Sequence, residues 1–196
     1  IPALQVGMRY TTPGSKYRND MQMRPIQIRT EHIPHGFDID DSQIPTGFSI
    51  ALQKALSKGS ITLQSSDPTH QPLLNYCYLT DPYDLERMRG AVRLCARISA
   101  MAEYEPAQLS RIAPTDEVID SDEKLDDWIK ANVTTQHHSS GTCKMGVKSD
   151  NFAVVDSQCN VYSVDNLMVV DASIMPDVVR SNTNATTIMI AEKISS

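Results

Sequence analysis

HSSGTCKMG, at positions 138–146, is the most informative stretch of this sequence. It belongs to a longer segment, 134–146, that is small and polar and has neither the period of a helix nor the alternation of a strand. The segment nevertheless concentrates His137, His138 and Cys143. Loops that carry such side chains are common positions for catalytic and binding residues, so the function is to be sought here.

On the C-terminal side of this stretch, a strand, a polar loop and a helix are predicted in that order. Leu167–Val170 is short and apolar and ends at Asp171. Asn182–Asn184 then leads into a predicted helix of about Thr186–Ile194, and one of the two asparagines is expected to be its N-cap. This order suits an anionic or electron-rich ligand, because the first turn of a helix presents unpaired N–H groups.

On the N-terminal side, two helices and several strands are predicted. Asp81-Pro82 combines an N-cap with a proline at the first helical position, and apolar residues then recur every three or four positions until about Glu103. Asp122–Asn132 has apolar residues on one side and acidic residues in its first turn. Partial alternation predicts strands at Leu4–Thr11, Met23–Thr30, Gly47–Leu56, Ser60–Ser65 and Leu73–Leu79.

Two connections between these strands stand out. Ser57-Lys58-Gly59 joins the third predicted strand to the fourth, and Gly59 is expected to supply the positive φ of a tight turn, which would make the two strands a hairpin. Residues 31–45 are rich in His, Pro, Gly and Asp without periodicity, so we expect a loop that lines or covers a site.

Composition excludes several classes of protein. The chain has 196 residues, 40% of them hydrophobic, which is enough for a sizeable core. A net charge of −6 without a Lys/Arg stripe argues against nucleic-acid binding, and no apolar run reaches the roughly 20 residues that cross a bilayer.

The four scattered cysteines suit a reducing compartment, so a cytoplasmic location is favoured. The start at Ile1 leads us to expect a fragment or processed product.

Several motifs resemble one known family. Residues 138–146 and four later segments match, in order and spacing, the C-terminal signature of the glucose-methanol-choline (GMC) oxidoreductases; the later segments are 153–156, 169–176, 182–184 and 188–193. Residues 57–68 and 78–85 resemble the substrate domain of that family. The resemblance implies an α+β fold, with a mostly antiparallel sheet of about six strands flanked by helices.

The same resemblance implies two regions with different tasks. Residues 1–133 are expected to form the substrate-binding domain, and residues 134–196 the C-terminal catalytic and flavin-facing segment, whose strand, loop and helix complete the FAD domain. A Gly-x-Gly-x-x-Gly turn, which holds the FAD pyrophosphate, is missing from the sequence. We therefore expect the ADP-binding part to lie in a missing N-terminal portion of the same enzyme, and the isolated chain to bind FAD weakly or not at all.

The implied activity is oxidation of a small-molecule alcohol to an aldehyde or ketone by proton abstraction and hydride transfer to FAD. By its spacing to Gly-Thr-Cys, His138 matches the family's base, and imidazole ordinarily titrates near neutral pH. Asn182 matches the second active-site residue, which holds the alkoxide without titrating. Flavin contacts are implied for His137, Asp171, Ala172, Asn182 and Thr183; at Thr183 many family members have a proline.

The residues alone leave other functions open. Cys143, His138 and Asn182 are the residue types of a thiol-protease triad, although no nucleophile signature surrounds Cys143, which is more often a small buried hydrophobic residue. Zinc binding through His137, His138, Cys143 and Cys159 matches no known ligand spacing, so no metal is predicted. The main alternative is a catalytically inactive isolated fragment that acts as a binding or interaction module.

Overall fold

The structure, a computed structural model, describes residues 6–27, 46–107 and 111–196. It contains five strands, β1 (Met8–Tyr10), β2 (Met21–Gln27), β3 (Thr46–Leu52), β4 (Ser60–Thr62) and β5 (Leu73–Asn75). Its α-helices are α1 (Pro82–Ser99), α2 (Asp116–Ile119), α3 (Asp122–Asn132) and α4 (Asn184–Ser195), with 3₁₀ turns at Ala102–Ala107 and Ala172–Ile174. The chain divides into two compact units, the first formed by Ile1–Leu52 with Leu79–Val133 and the second by Gln53–Tyr78 with Thr134–Ser196.

A three-stranded antiparallel sheet, in the order β1-β2-β3, forms one side of the first unit. In β2 the side chains of Met21 and Met23 are buried, while Gln22 between them is only partly buried. Successive side chains of a strand point to opposite faces of the sheet, so this pattern indicates that one face is covered. The Met23 sulfur lies 3.3 Å from the Cys95 sulfur of α1. Burial raises the pKa of the Cys95 thiol to about 12, so this cysteine is a packing residue.

Helix α1 begins where its sequence signals predict. The Asp81 carboxylate accepts a hydrogen bond from the Tyr83 N–H, and Pro82 is the first helical residue. Leu85 and Val92 on one face of α1 form a core with Leu125 and Ile129 of α3. Both helices therefore bury the apolar face that their periodicity predicted.

A charged cluster is fully buried beside this core. The Arg87 guanidinium lies 2.6 Å from the Asp84 carboxylate and 3.1 Å from that of Asp20, and all three side chains are 0% exposed. The Arg87 guanidinium also stacks over the Tyr83 ring at 4.7 Å. Burial alone would raise the pKa of the Asp20 carboxyl, but hydrogen bonds from Ser15, the Thr12 N–H and Arg87 outweigh it and hold that pKa below its ordinary value.

The second unit has little regular structure. Strands β4 and β5 form a two-stranded antiparallel ribbon whose apolar side chains, including those of Ile61 and Leu74, are exposed. Gly59 is required here by a close approach: a Cβ at this position would lie 2.2 Å from the Asn75 carbonyl oxygen. A second core is formed by buried residues of the C-terminal part and partly buried residues packed against them, among them Val155, Cys159, Ile174, Ile190 and Ile194.

The predicted fold class is confirmed, with corrections in detail. Helices combine with antiparallel strands, and the described residues contain five strands in two sheets where about six in one sheet were expected. The predicted hairpin of Gly47–Leu56 with Ser60–Ser65 is wrong, because β3 pairs with β2 and β4 with β5. Gly59 does not have a positive φ, so it does not supply the tight-turn conformation that was predicted for it. The predicted loop 31–45 lies outside the described residues.

The buried cluster leads to a stability prediction. Arg87→Met leaves two buried carboxylates without their cation, and we expect the free energy of unfolding to fall by about 3–5 kcal/mol. Arg89→Met, in the same helix, removes a partly exposed pair with Asp126 and should cost about 0–1 kcal/mol. Urea unfolding followed by circular dichroism measures both. Equal losses in the two variants would contradict a dominant role for the buried cluster.

Candidate active site

The motif at 138–146 is held in place by backbone pairing with a distant segment of the same unit. The N–H groups of Gly141, Cys143 and Met145 donate hydrogen bonds to the carbonyl oxygens of Ala172 (3.3 Å), Ser173 (2.9 Å) and Ile174 (2.8 Å), respectively. The donors are every second residue of the motif, whereas the acceptors are three consecutive residues of the 3₁₀ turn, so no regular ladder forms. The Leu167–Val170 strand expected just before this segment is absent, since only Met168 makes an isolated bridge, to Asn160.

Gly141 is essential to this pairing. Its φ is +85°, a conformation that side chains disfavour, and a Cβ there would lie 3.3 Å from the Met175 carbonyl oxygen. The glycine therefore allows the motif to turn and to approach residues 172–175 closely. This position follows His138 by three residues and fixes the path of the chain immediately after it.

The side chain of His138 meets the loop that precedes α4. Its Nδ1 lies 3.2 Å from Oγ1 of Thr183, although the two residues are 45 positions apart in sequence. The imidazole is half-buried and Thr183 is buried, with 8% of its surface exposed. The predicted base and the predicted 182–184 loop are thus neighbours, and Nε2 is the ring nitrogen that this contact leaves available.

Helix α4 starts without a side-chain cap. Thr183 occupies the N-cap position, but its side chain makes no capping hydrogen bond, and Asn184 is already the first helical residue. The expectation that Asn182 or Asn184 caps the helix is therefore wrong. The Thr183 hydroxyl faces His138 instead, so its side chain leaves the first N–H groups of α4 unpaired.

The remaining predicted site residues lie on the same segments. Asn182 is exposed next to Thr183, and among the described residues its side chain has no hydrogen-bonding partner. His137 is exposed with a φ of 59°, and its N–H donates to the Thr135 hydroxyl. The Asp171 carboxylate accepts from the N–H and the hydroxyl of Ser173, two residues on, which starts the 3₁₀ turn at Ala172–Ile174.

Sequence reasoning missed the contact between His138 and Thr183. Thr183 was expected only as a flavin neighbour, and the one signal available was its replacement of a proline, which has no hydroxyl. Cys143 is half-buried and its N–H is paired with Ser173. Within ranges 6–27, 46–107 and 111–196, no group of three or more His, Cys, Asp or Glu side chains is placed to hold a metal ion.

Comparisons with known proteins identify the family of this chain. A family profile described as GMC oxidoreductase matches residues 55–191, a span that contains the motif, the 171–175 segment and most of α4. The chain belongs to the GMC oxidoreductase family.

Two curated relatives show which members of the family are similar. The oxygen-dependent choline dehydrogenase of Rhizobium etli strain CIAT 652 is 38% identical over 159 residues, which are 81% of this chain and 27% of that protein. The mitochondrial choline dehydrogenase of Mus musculus is 42% identical over 144 residues, 74% of this chain and 24% of that protein. The chain thus spans about a quarter of the length of these relatives.

Solved structures share the fold. Pyridoxine 4-oxidase from Mesorbium loti has a TM-score of 0.77 and 26% identity, and the match covers 96% of this chain and 36% of that one. A variant of formate oxidase from Aspergillus oryzae has a TM-score of 0.76 with 21% identity, covering 91% of this chain and 31% of that one. Among the described residues, no helix is both long and apolar enough to span a membrane.

The pairing of the motif leads to a prediction at Gly141. Gly141→Ala places a side chain at φ +85° and against the Met175 carbonyl, and should lower the free energy of unfolding by about 1–2 kcal/mol or more. Gly14→Ala is the matched control, because Gly14 has φ +77° but no atom within 4 Å of the added Cβ. Denaturant unfolding compares the two. A smaller loss for Gly141→Ala than for Gly14→Ala would contradict the close approach.

Proposed function

We propose that this chain supplies the catalytic base and the alkoxide-binding amide of an FAD-dependent alcohol oxidoreductase. The observation that carries the proposal is the 3.2 Å contact between His138 and Thr183, since it brings the imidazole to the loop that contains Asn182. An alcohol bound beside these residues has a proton acceptor and a hydrogen-bond donor within one short stretch of surface. Both are needed when an O–H bond is broken.

The reaction separates into a proton and a hydride. Nε2 of His138 takes the proton from the substrate hydroxyl, and the electron pair of the O–H bond forms the carbonyl π bond. When bound, FAD would supply the acceptor for the hydride from the carbon that carries the hydroxyl, so that the alcohol loses two electrons and becomes an aldehyde or ketone. Because the histidine ends the step protonated, it must release that proton before the next turnover.

The Asn182 amide suits the second role in this step. Negative charge grows on the substrate oxygen as its proton leaves, and an amide N–H stabilises that charge without accepting the proton itself. The side chain is exposed and makes no competing hydrogen bond within the described part of the chain. It is therefore available to a ligand at no cost in existing contacts.

The start of α4 fits a reduced flavin. This helix has 12 residues and its first N–H groups are not capped by Thr183, so they can stabilise the negative charge that flavin gains on reduction. We infer that Asn182 and Thr183 face the ring system, with His137 beside them through its backbone. Asp171 and Ala172 would lie toward the ribityl and phosphate part.

The rest of the enzyme is proposed from the family. The ADP-binding part would come from an N-terminal portion of the same protein, residues 1–133 would help to bind the substrate, and residues 134–196 would face the flavin. Choline is the first alcohol to test, because the curated relatives are named for it.

The base is tested by His138→Ala in the flavin-loaded protein that contains this chain. Without a proton acceptor at Nε2, anaerobic flavin reduction by the alcohol should slow about a hundredfold to ten-thousandfold. Stopped-flow absorbance measures the rate. His70→Ala is the control, since this exposed histidine lies in a turn after β4 and should leave the rate unchanged. A normal rate in the His138→Ala protein would remove this residue from the base role.

The alkoxide donor is tested by Asn182→Ala. We expect a loss of about tenfold in the rate of flavin reduction, smaller than the loss at His138, because one hydrogen bond to the developing charge is removed while the base remains. Asn151→Ala, at an exposed turn, serves as the amide control. If both variants reduce flavin equally fast, the proposed role of Asn182 is wrong.

A further inference from the structure

The hydroxyl of Thr183 is used in an unusual way for its position. A threonine at the N-cap position commonly directs its side-chain oxygen back to the N–H groups of the first turn. Thr183 makes no such bond, and its Oγ1 lies instead 3.2 Å from Nδ1 of His138. The backbone of Thr183 has φ −74° and ψ −20°, which differs from the extended conformation of a capping residue, and the residue is buried.

We propose that Thr183 is a positioning residue that fixes the tautomer of His138. In this arrangement the Nδ1–H group donates to Oγ1 of Thr183, so the lone pair of the neutral ring lies on Nε2. The inference rests on the proposed function, because a choice of tautomer matters only if His138 is the base. It goes beyond that function, because Thr183 is neither the proposed base nor the alkoxide donor. Thr183 instead determines which ring nitrogen of His138 accepts the proton.

The direction of this hydrogen bond follows from the two states that a base must pass through. A neutral imidazole has one N–H, and the partner of one nitrogen determines which nitrogen carries it. If the Thr183 hydroxyl donated to Nδ1, the proton would sit on Nε2, and that nitrogen could accept no other. After proton transfer the ring carries two N–H groups, and Nδ1 can only donate. A Thr183 oxygen that accepts is thus the arrangement that persists through both states without rearrangement.

A second consequence concerns charge. The protonated ring is a cation next to the first turn of α4, where the helix dipole is positive and disfavours it. The Thr183 oxygen contacts the ring and belongs to the residue just before that turn. By accepting from the Nδ1–H group it offsets part of this repulsion. Removal of the hydroxyl should therefore affect proton transfer without removing the base itself.

The tautomer is measured directly by nitrogen-15 NMR of the histidine ring in the chain, with no flavin or substrate required. For the neutral ring, we expect the His138 signals of an Nδ1–H tautomer in the wild-type chain and in Thr183→Ser, which keeps the hydroxyl. In Thr183→Val these signals should shift toward a mixture of tautomers. A wild-type ring that carries its proton on Nε2 would overturn the proposal, and this test needs no variant to fold.

Kinetics in the flavin-loaded protein give the second readout. Thr183→Val should slow flavin reduction about tenfold, the effect of one lost hydrogen bond, with KM changed much less than kcat, and Thr183→Ser should restore the rate. Thr187→Val is the matched control, because its hydroxyl bonds the Thr183 carbonyl and does not touch His138. Equal rates for Thr183→Val and the wild type, or no rescue by serine, would overturn the positioning role.

The two proposals fail separately. If His138→Ala reduces flavin normally while the wild-type ring shows the Nδ1–H tautomer, the proposed base is wrong and the hydrogen-bond assignment stands. If His138→Ala is inactive while the ring is protonated on Nε2 or Thr183→Val behaves as the wild type, the base stands and the role of Thr183 is wrong.

Discussion

Three backbone hydrogen bonds between residues 141–145 and residues 172–174 organise the second unit, and the candidate site depends on them. The motif has no periodic apolar pattern, so neither helix nor strand propensity gives it a shape. Its conformation comes from a partner segment some thirty positions downstream, and from the buried side chains of Val155, Cys159 and Ile174 with which it shares a core. Once the two segments are paired, the residues that flank them, His138 on one and Thr183 beyond the other, can meet.

The first unit is fixed by a different kind of interaction. Arg87, Asp84 and Asp20 are removed from water in the middle of apolar packing, which is favourable only because each charge has a partner and Asp20 accepts further hydrogen bonds from Ser15 and Thr12. These bonds join α1 to the turn that precedes β2. The cluster therefore fixes the position of α1 along the β1-β2-β3 sheet. Apolar contacts between methionines and leucines are less directional and would fix that position less uniquely.

Sequence patterns predicted those parts of the fold that are decided locally. Helix α1 begins at Pro82 and α3 spans Asp122–Asn132 as predicted, because caps, proline and apolar period all act within one turn or two. The β3–β4 hairpin was wrong because β3 takes its partner from upstream, although neighbours in sequence pair more often.

In the apolar run Leu167–Val170, only Val169 and Val170 pack against the second core, while Leu167 and Met168 are exposed. A short apolar run by itself therefore does not distinguish a strand from an irregular segment. For the site, the sequence motifs singled out His138 and the 182–184 loop, and the catalytic roles of these residues stay predictions. The bond to Thr183 required the tertiary fold, because it joins residues 45 positions apart.

The uncapped start of α4 also bears on protein engineering. A routine programme of thermostabilisation would place aspartate at position 183, because its negative charge suits the positive end of the helix dipole. In this fold that change would remove the hydroxyl that contacts His138 and add a negative charge where the flavin is proposed to bind. Under the proposed function, a substitution that stabilises this helix terminus would therefore lower turnover, so thermal stability and catalysis would make opposite demands on a single side chain.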